Sequence, residues 1–156
     1  MIHEDTVKLL RECDAGVRMG VDSINDVLGS VRSGAFRQRL SDCRAEHEEL
    51  AAEIRGMLEK YHDDGKEPGF IAQSMSRMKT NFKLGTDESD ETVADLMTDG
   101  CNMGVKSLNR YLNQYKAASE VSKDITKRLG CGELNSVVWA VFLKHWFKFG
   151  RDDRFF

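Results

Sequence analysis

A ten-residue stretch, Met19-Gly-Val-Asp-Ser-Ile-Asn-Asp-Val-Leu28, returns 84 residues later as Met103-Gly-Val-Lys-Ser-Leu-Asn-Arg-Tyr-Leu112. Six of the ten positions are identical, and a seventh keeps its apolar character. A glycine upstream of each copy also recurs, as Gly16 and Gly100. Both copies lie inside long segments with helical periodicity. The repeat therefore predicts a chain made of two related helical halves.

The composition is typical of a soluble helical protein, with 31% charged residues, 40% hydrophobic residues and one proline. A chain of 156 residues is long enough for one domain with its own core. The net charge of −3 gives no basic footprint for nucleic acid or for an anionic membrane. The longest apolar run, from Val137 to Leu143, is too short to cross a bilayer, and the acidic N-terminus does not resemble a signal peptide. We expect a single cytoplasmic domain over residues 1–156.

Two long helices are predicted in the first half of the chain, over residues 4–32 and 35–62. Their apolar side chains recur at steps of three and four, the period of one buried stripe. Asp14 is the misfit in the first stripe, and His47 lies in the second. Glycines and serines between the segments favour a short turn, which makes the two helices antiparallel neighbours.

A second pair of helices is predicted over residues 88–116 and 119–149. Asp87 or Ser89 can cap the first of them, and the Gly130-Cys-Gly132 sequence is costly inside the second. The connection between the two pairs is roughly 25 residues long, with a possible short helix over residues 70–83, which excludes a simple up-down-up-down series. The pattern predicts a four-helix bundle in which the second hairpin packs against the first in the opposite sense.

These features resemble the ferritin-like superfamily. The segment from Ala94 to Leu112, with its Gly-x-Asn-Met-Gly block, is similar to a branch of small bacterial ferritin-like proteins that has a matching Met-Gly block on the first helix. The likeness covers about residues 5–129, and the chain departs from the family pattern from Gly130 onward. The resemblance implies an all-α, ferritin-like four-helix bundle.

The resemblance also implies a di-iron site, built from one Glu on each of two helices and a Glu-x-x-His on each of the other two. Most of these ligands are missing. Arg44 stands three residues before His47, where a glutamate is expected. The one Glu-x-x-His, from Glu59 to His62, lies at a helix end. The sequence therefore predicts that the usual ligands are lost.

Two interpretations of the remaining polar groups stay open. One is an atypical site for iron or manganese, with Asp14, Glu46 and His47 as the candidate ligands. The other is that His47 is a core histidine satisfied by Asp14 or by a backbone carbonyl, with Glu46 solvated. An arginine at position 44 would repel a cation, which favours the second interpretation.

Glycines occupy the middle of both repeat copies, at Gly16 and Gly20 and at Gly100 and Gly104. Glycine inside a helix costs about 1 kcal/mol relative to alanine, so a compensating contact is expected. We predict that these glycines allow close backbone approach where the first and third helices cross. The alternative is that they line a small cavity, as in a small-ligand carrier.

One cysteine falls in each predicted helix, and no pair has a CxxC or zinc-site spacing. Cys43 and Cys101 are expected to be small buried apolar groups, and Cys131 the thiol that reacts first. We expect all the thiols to be reduced.

The C-terminal segment has more large aromatic side chains than one face of one helix can bury. It is expected to form a homodimer interface or an intramolecular cap over the bundle. The candidate interface residues are Trp139, Phe142, Trp146, Phe147 and Phe149.

The sequence contains no Ser-His-Asp arrangement, phosphate loop or nucleotide fingerprint. It favours a non-catalytic helical protein with a role in binding or assembly. The main alternative is a di-metal carboxylate protein, either an oxidase or an iron-handling protein, which needs about four inward carboxylates. Only Asp14 is placed inward by the pattern.

Overall fold

A computed structural model describes residues 2–65 and 89–132, most of which are helical. Helix α1 spans Ile2–Leu28, α2 spans Gly34–Glu59 and α3 spans Asp90–Gln114. Helix α4 covers residues 120–132. No strand occurs in these two described ranges, and the all-α class is confirmed for them. The predicted short helix, the remainder of the fourth predicted helix and the aromatic segment lie outside the described residues.

Helix α1 ends at Leu28, earlier than the predicted end at residue 32. The Asp90 carboxylate accepts hydrogen bonds of 2.7 Å from the backbone N–H groups of both Arg32 and Ser33, which satisfies the chain just after the helix. The Ser33 hydroxyl then caps α2 by accepting from the Phe36 N–H. A side chain from the second half of the molecule thus binds the turn of the first hairpin.

The other helix ends are set by caps that the sequence indicates. Ser89 is the N-cap of α3, and its hydroxyl accepts from the Thr92 N–H. The Ser119 hydroxyl accepts from the Ser122 N–H at the start of α4. The backbone of α4 remains helical as far as Gly132, so the glycines near its end do not interrupt the described part of the helix.

Side-chain contacts show that α1 and α2 are antiparallel. Arg44 of α2 donates to Asn25 near the end of α1, whereas Arg55 lies beside Asp14 in its first half. The short turn predicted between these helices is confirmed.

Helix α4 runs parallel to α1. The Ser119 N–H, at the start of α4, donates to the Thr6 hydroxyl over 2.9 Å. Two turns further along both helices, the Cys13 thiol lies 3.2 Å from the Thr126 hydroxyl. The two helices therefore advance together.

Helix α3 is antiparallel to α1. Its first residue, Asp90, binds the chain at the end of α1, while Asp5 near the start of α1 accepts from the N–H of Ala117, just after α3. Helices α2 and α3 consequently run in the same direction, and the end of α2 and the start of α3 lie at opposite ends of the bundle.

Two separate apolar clusters form the core. All four helices contribute to the larger one, which contains Leu9, Leu10, Cys13, Val17, Ala51, Ile54, Leu58, Leu108, Tyr111, Ala118, Ile125 and Leu129. The smaller one lies at the other end, where α1, α2 and α3 meet, and contains Ile24, Val27, Val31, Phe36, Leu40, Cys43, Val93, Ala94 and Met97. In α2 the buried stripe passes through Ala51 and Leu58, and Leu50 and Met57 are only partly buried.

Several positions of α1 and the positions 84 residues later in α3 are both buried. The pairs are Leu9 and Val93, Leu10 and Ala94, Cys13 and Met97, Ile24 and Leu108, and Val27 and Tyr111. Each copy of the repeated stretch thus turns the same face toward the interior.

Candidate functional site

Asp14 lies in the interior of the bundle, as the pattern of α1 predicts, and is only 2% exposed. One turn further along α1, Arg18 donates to its Oδ2 atom over 2.5 Å. From α2, the Arg55 Nε atom lies 4.0 Å from Oδ1. Within the described ranges Oδ1 accepts no hydrogen bond. The carboxylate is therefore held by arginines but is incompletely satisfied.

The turn that follows α2 closes over this carboxylate. Gly65 has a φ of +83°, and a Cβ atom built on it would lie 2.6 Å from Asp14 Oδ2. Only a residue without a side chain fits there. His62, earlier in the turn, also has a positive φ, of 55°. The chain leaving α2 is thus bent tightly back onto the middle of α1.

An ion pair between Arg11 and Asp63 fastens the same turn to α1. The Arg11 Nε atom donates to Asp63 Oδ1 over 2.9 Å, and its Nη2 donates to Oδ2. The Gly65 N–H donates to Asp63 Oδ1 over 2.9 Å as well. The hydrogen bond from Arg11, opposed by partial burial, lowers the pKa of Asp63 because it favours the charged carboxylate.

His47 lies in the interior on α2, and its side chain is fixed by two neighbours. Its Nδ1 atom lies 2.8 Å from the carbonyl oxygen of Cys43, one turn earlier. A carbonyl oxygen can only accept, so Nδ1 carries the proton in this arrangement. The other side of the ring faces Gly20, where a Cβ atom would lie 2.8 Å from Cδ2 and 3.1 Å from Nε2. The hydrogen bond to a backbone carbonyl is the contact that the core-histidine interpretation of His47 predicts.

The three candidate metal ligands have different surroundings. Asp14 pairs with arginines, His47 bonds to the Cys43 carbonyl, and Glu46 is on the exposed face of α2. Glu59 and His62 are also exposed, at the end of the same helix. Across residues 2–65 and 89–132, no three His, Cys, Asp or Glu side chains come together in a way that could hold a metal ion.

The glycines of α1 have different environments from each other. The close approach at Gly20 is made by His47 of α2, a different partner from the third helix that the repeat predicts. At Gly16, no atom of the described residues outside the adjoining helix backbone lies within 4 Å of the position of an added Cβ. Gly100 and Gly104 are half-buried on α3, which packs against α1. The glycine crossing of α1 and α3 stays a prediction.

All four cysteines lie in the described residues, and none of them forms a disulfide bond there. Cys43 is buried as predicted, and Cys13 is buried beside Thr126. Cys101 is only half-buried, contrary to prediction, and Cys131 is exposed, which agrees with its expected reactivity.

Sequence patterns miss most of the groups that hold Asp14. The spacing of Asp14 and Arg18 is a standard helical ion pair and could have been recognised. The pairing of Arg11 with Asp63 joins residues 52 positions apart, and no local pattern indicates it. The same holds for the approach of Gly65, because its partner lies on another element.

Comparisons with protein-family models, curated proteins and solved structures find no match to this chain. None of the helices in the described part of the chain has the length and apolarity that crossing a membrane requires. The candidate interface aromatics, Trp139, Phe142, Trp146, Phe147 and Phe149, lie outside the described residues.

Proposed function

We propose that this chain is a non-catalytic, ferritin-like helical bundle that acts in binding or assembly. The contacts of Asp14 and His47, the two interior residues among the candidate ligands, are the main support for this proposal. Each makes contacts that hold the fold together, and these contacts involve different partners. A cytoplasmic location and a homodimer formed through the C-terminal aromatic segment are further parts of this proposal.

The directions of the helices support the ferritin-like part of the proposal. Helices α2 and α3 run the same way and adjoin opposite ends of the bundle, so the chain between them must pass from one end to the other. One long crossover of this kind is characteristic of ferritin-like bundles. The matched burial of repeat-related positions in α1 and α3 agrees with a twofold-like arrangement of two hairpins.

The charges around Asp14 argue against a resident metal ion. Arg18 donates to one carboxylate oxygen, and Arg55 lies 4.0 Å from the other. Two unit charges 4 Å apart interact with about 4 kcal/mol at the effective dielectric constant of a protein surface, and a divalent ion doubles that repulsion. One carboxylate does not offset two such guanidinium groups.

One observation favours the alternative of a di-metal carboxylate protein with an atypical ligand set. Asp14 Oδ1 is buried and accepts no hydrogen bond from the described residues, and a metal ion would satisfy it. The Arg18 and Arg55 side chains, at 30% and 62% exposure, would then have to turn toward solvent.

Metal content separates the two functions. The protein would be purified without chelators or a histidine tag, and its iron and manganese measured by elemental analysis, before and after anaerobic addition of iron(II). We expect no stoichiometric metal. One or two equivalents that disappear in the Asp14→Ala/His47→Ala double variant would overturn the proposal and establish a metal protein.

A further inference from the structure

We draw no further inference here: the strongest candidate, the buried Oδ1 atom of Asp14 between α1 and α2, which accepts no hydrogen bond from the described residues, belongs to the site already described, and no cluster of metal-ligating side chains lies beside it in residues 2–65 and 89–132 to indicate a ligand.

Discussion

Gly20 and Gly65 each leave room for a buried polar side chain, but the two side chains differ in how fully they are hydrogen-bonded. At Gly20, both the glycine and His47 lie within helices, and the imidazole proton is bonded to the Cys43 carbonyl. At Gly65, the glycine lies in a turn with a positive φ, and Asp14 keeps one oxygen without a hydrogen bond from the described residues. The first contact lies between two helices, whereas the second depends on a turn held by backbone hydrogen bonds to the end of α2 and by the Arg11–Asp63 ion pair.

The two buried polar residues therefore obtain their hydrogen-bond partners in different ways. His47 obtains its hydrogen bond from its own helix, so its fixed position needs only a small neighbour on α1. Asp14 obtains its partners from arginine side chains that reach solvent, so its burial depends on the chain laid over it. The predictions below test each contact by changing the glycine, its polar partner or a surface contact.

The largest effect is expected for Gly65→Ala. A left-handed φ costs an alanine about 1–2 kcal/mol, and the clash with Asp14 Oδ2 brings the expected loss of unfolding free energy to about 2–3 kcal/mol. Chemical denaturation would measure it. Gly56→Ala is the control, because an added Cβ there meets none of the described residues beyond its own helix backbone within 4 Å, and it should not destabilise the protein.

The same substitution in an Asp14→Ala background separates the two causes. Removing the carboxylate removes the clash but not the backbone strain, so part of the Gly65→Ala penalty should persist. If Gly65→Ala lowered the unfolding free energy equally in both backgrounds, the clash between Asp14 and a Cβ atom at position 65 would be contradicted.

Gly20→Ala is expected to lower the unfolding free energy by about 1 kcal/mol. Overpacking against the buried His47 ring costs about 1–3 kcal/mol, and the better helix propensity of alanine returns about 1 kcal/mol. In a His47→Ala background the sign should reverse, because only the propensity gain remains. Loss of stability in both backgrounds would contradict the contact.

Gly16→Ala should instead stabilise the protein, by about 0.5–1 kcal/mol. Gly16 lies one turn before Gly20, but within the described part of the chain an added Cβ there has no neighbour within 4 Å beyond its own helix backbone. Thermal denaturation of the Gly16→Ala and Gly20→Ala pair gives a direct comparison of signs. Equal destabilisation of both variants would indicate that another helix lies close to both Gly16 and Gly20, as the repeat predicts.

The smallest effect is the pH dependence of the Arg11–Asp63 contact. Because the folded pKa of Asp63 is lowered, its contribution is present above the unfolded pKa of about 4 and is lost as pH falls through the folded value. Asp63→Asn should therefore cost about 0.5 kcal/mol at pH 7, and this difference should vanish in acid. The exposed neighbour variant Asp64→Asn should match the wild type throughout; a constant Asp63→Asn deficit would contradict the ion pair.

Local patterns predict the helices of the described ranges, the buried position of Asp14 and a cap at Asp87 or Ser89, because these depend on nearby residues. They fail where a distant residue decides the outcome. Asp90 binds the chain that follows α1, and no pattern within the first hairpin indicates that contact. The exposed fraction of Cys101 similarly depends on what packs against α3.

The candidate site was predictable only in part for the same reason. A core histidine bonded to Asp14 or to a backbone carbonyl was one of the expected interpretations, and the structure shows the bond to the Cys43 carbonyl. The partner of Gly20 was not predictable, because the repeat relates α1 to α3 while the His47 contact comes from α2. The residues that contact Asp14 come from α1, from α2 and from the turn after α2, so no local sequence pattern indicates them.

The most direct test of separate structural roles is a double-mutant cycle between Asp14 and His47. Unfolding free energies would be measured for wild type, Asp14→Ala, His47→Ala and the double variant, with and without anaerobic iron(II). Separate contacts predict additive losses, within about 0.5 kcal/mol, that iron does not change. A coupling energy above about 1 kcal/mol that appears only with iron would show that the two residues share a metal ion, and would contradict their assignment to separate structural contacts.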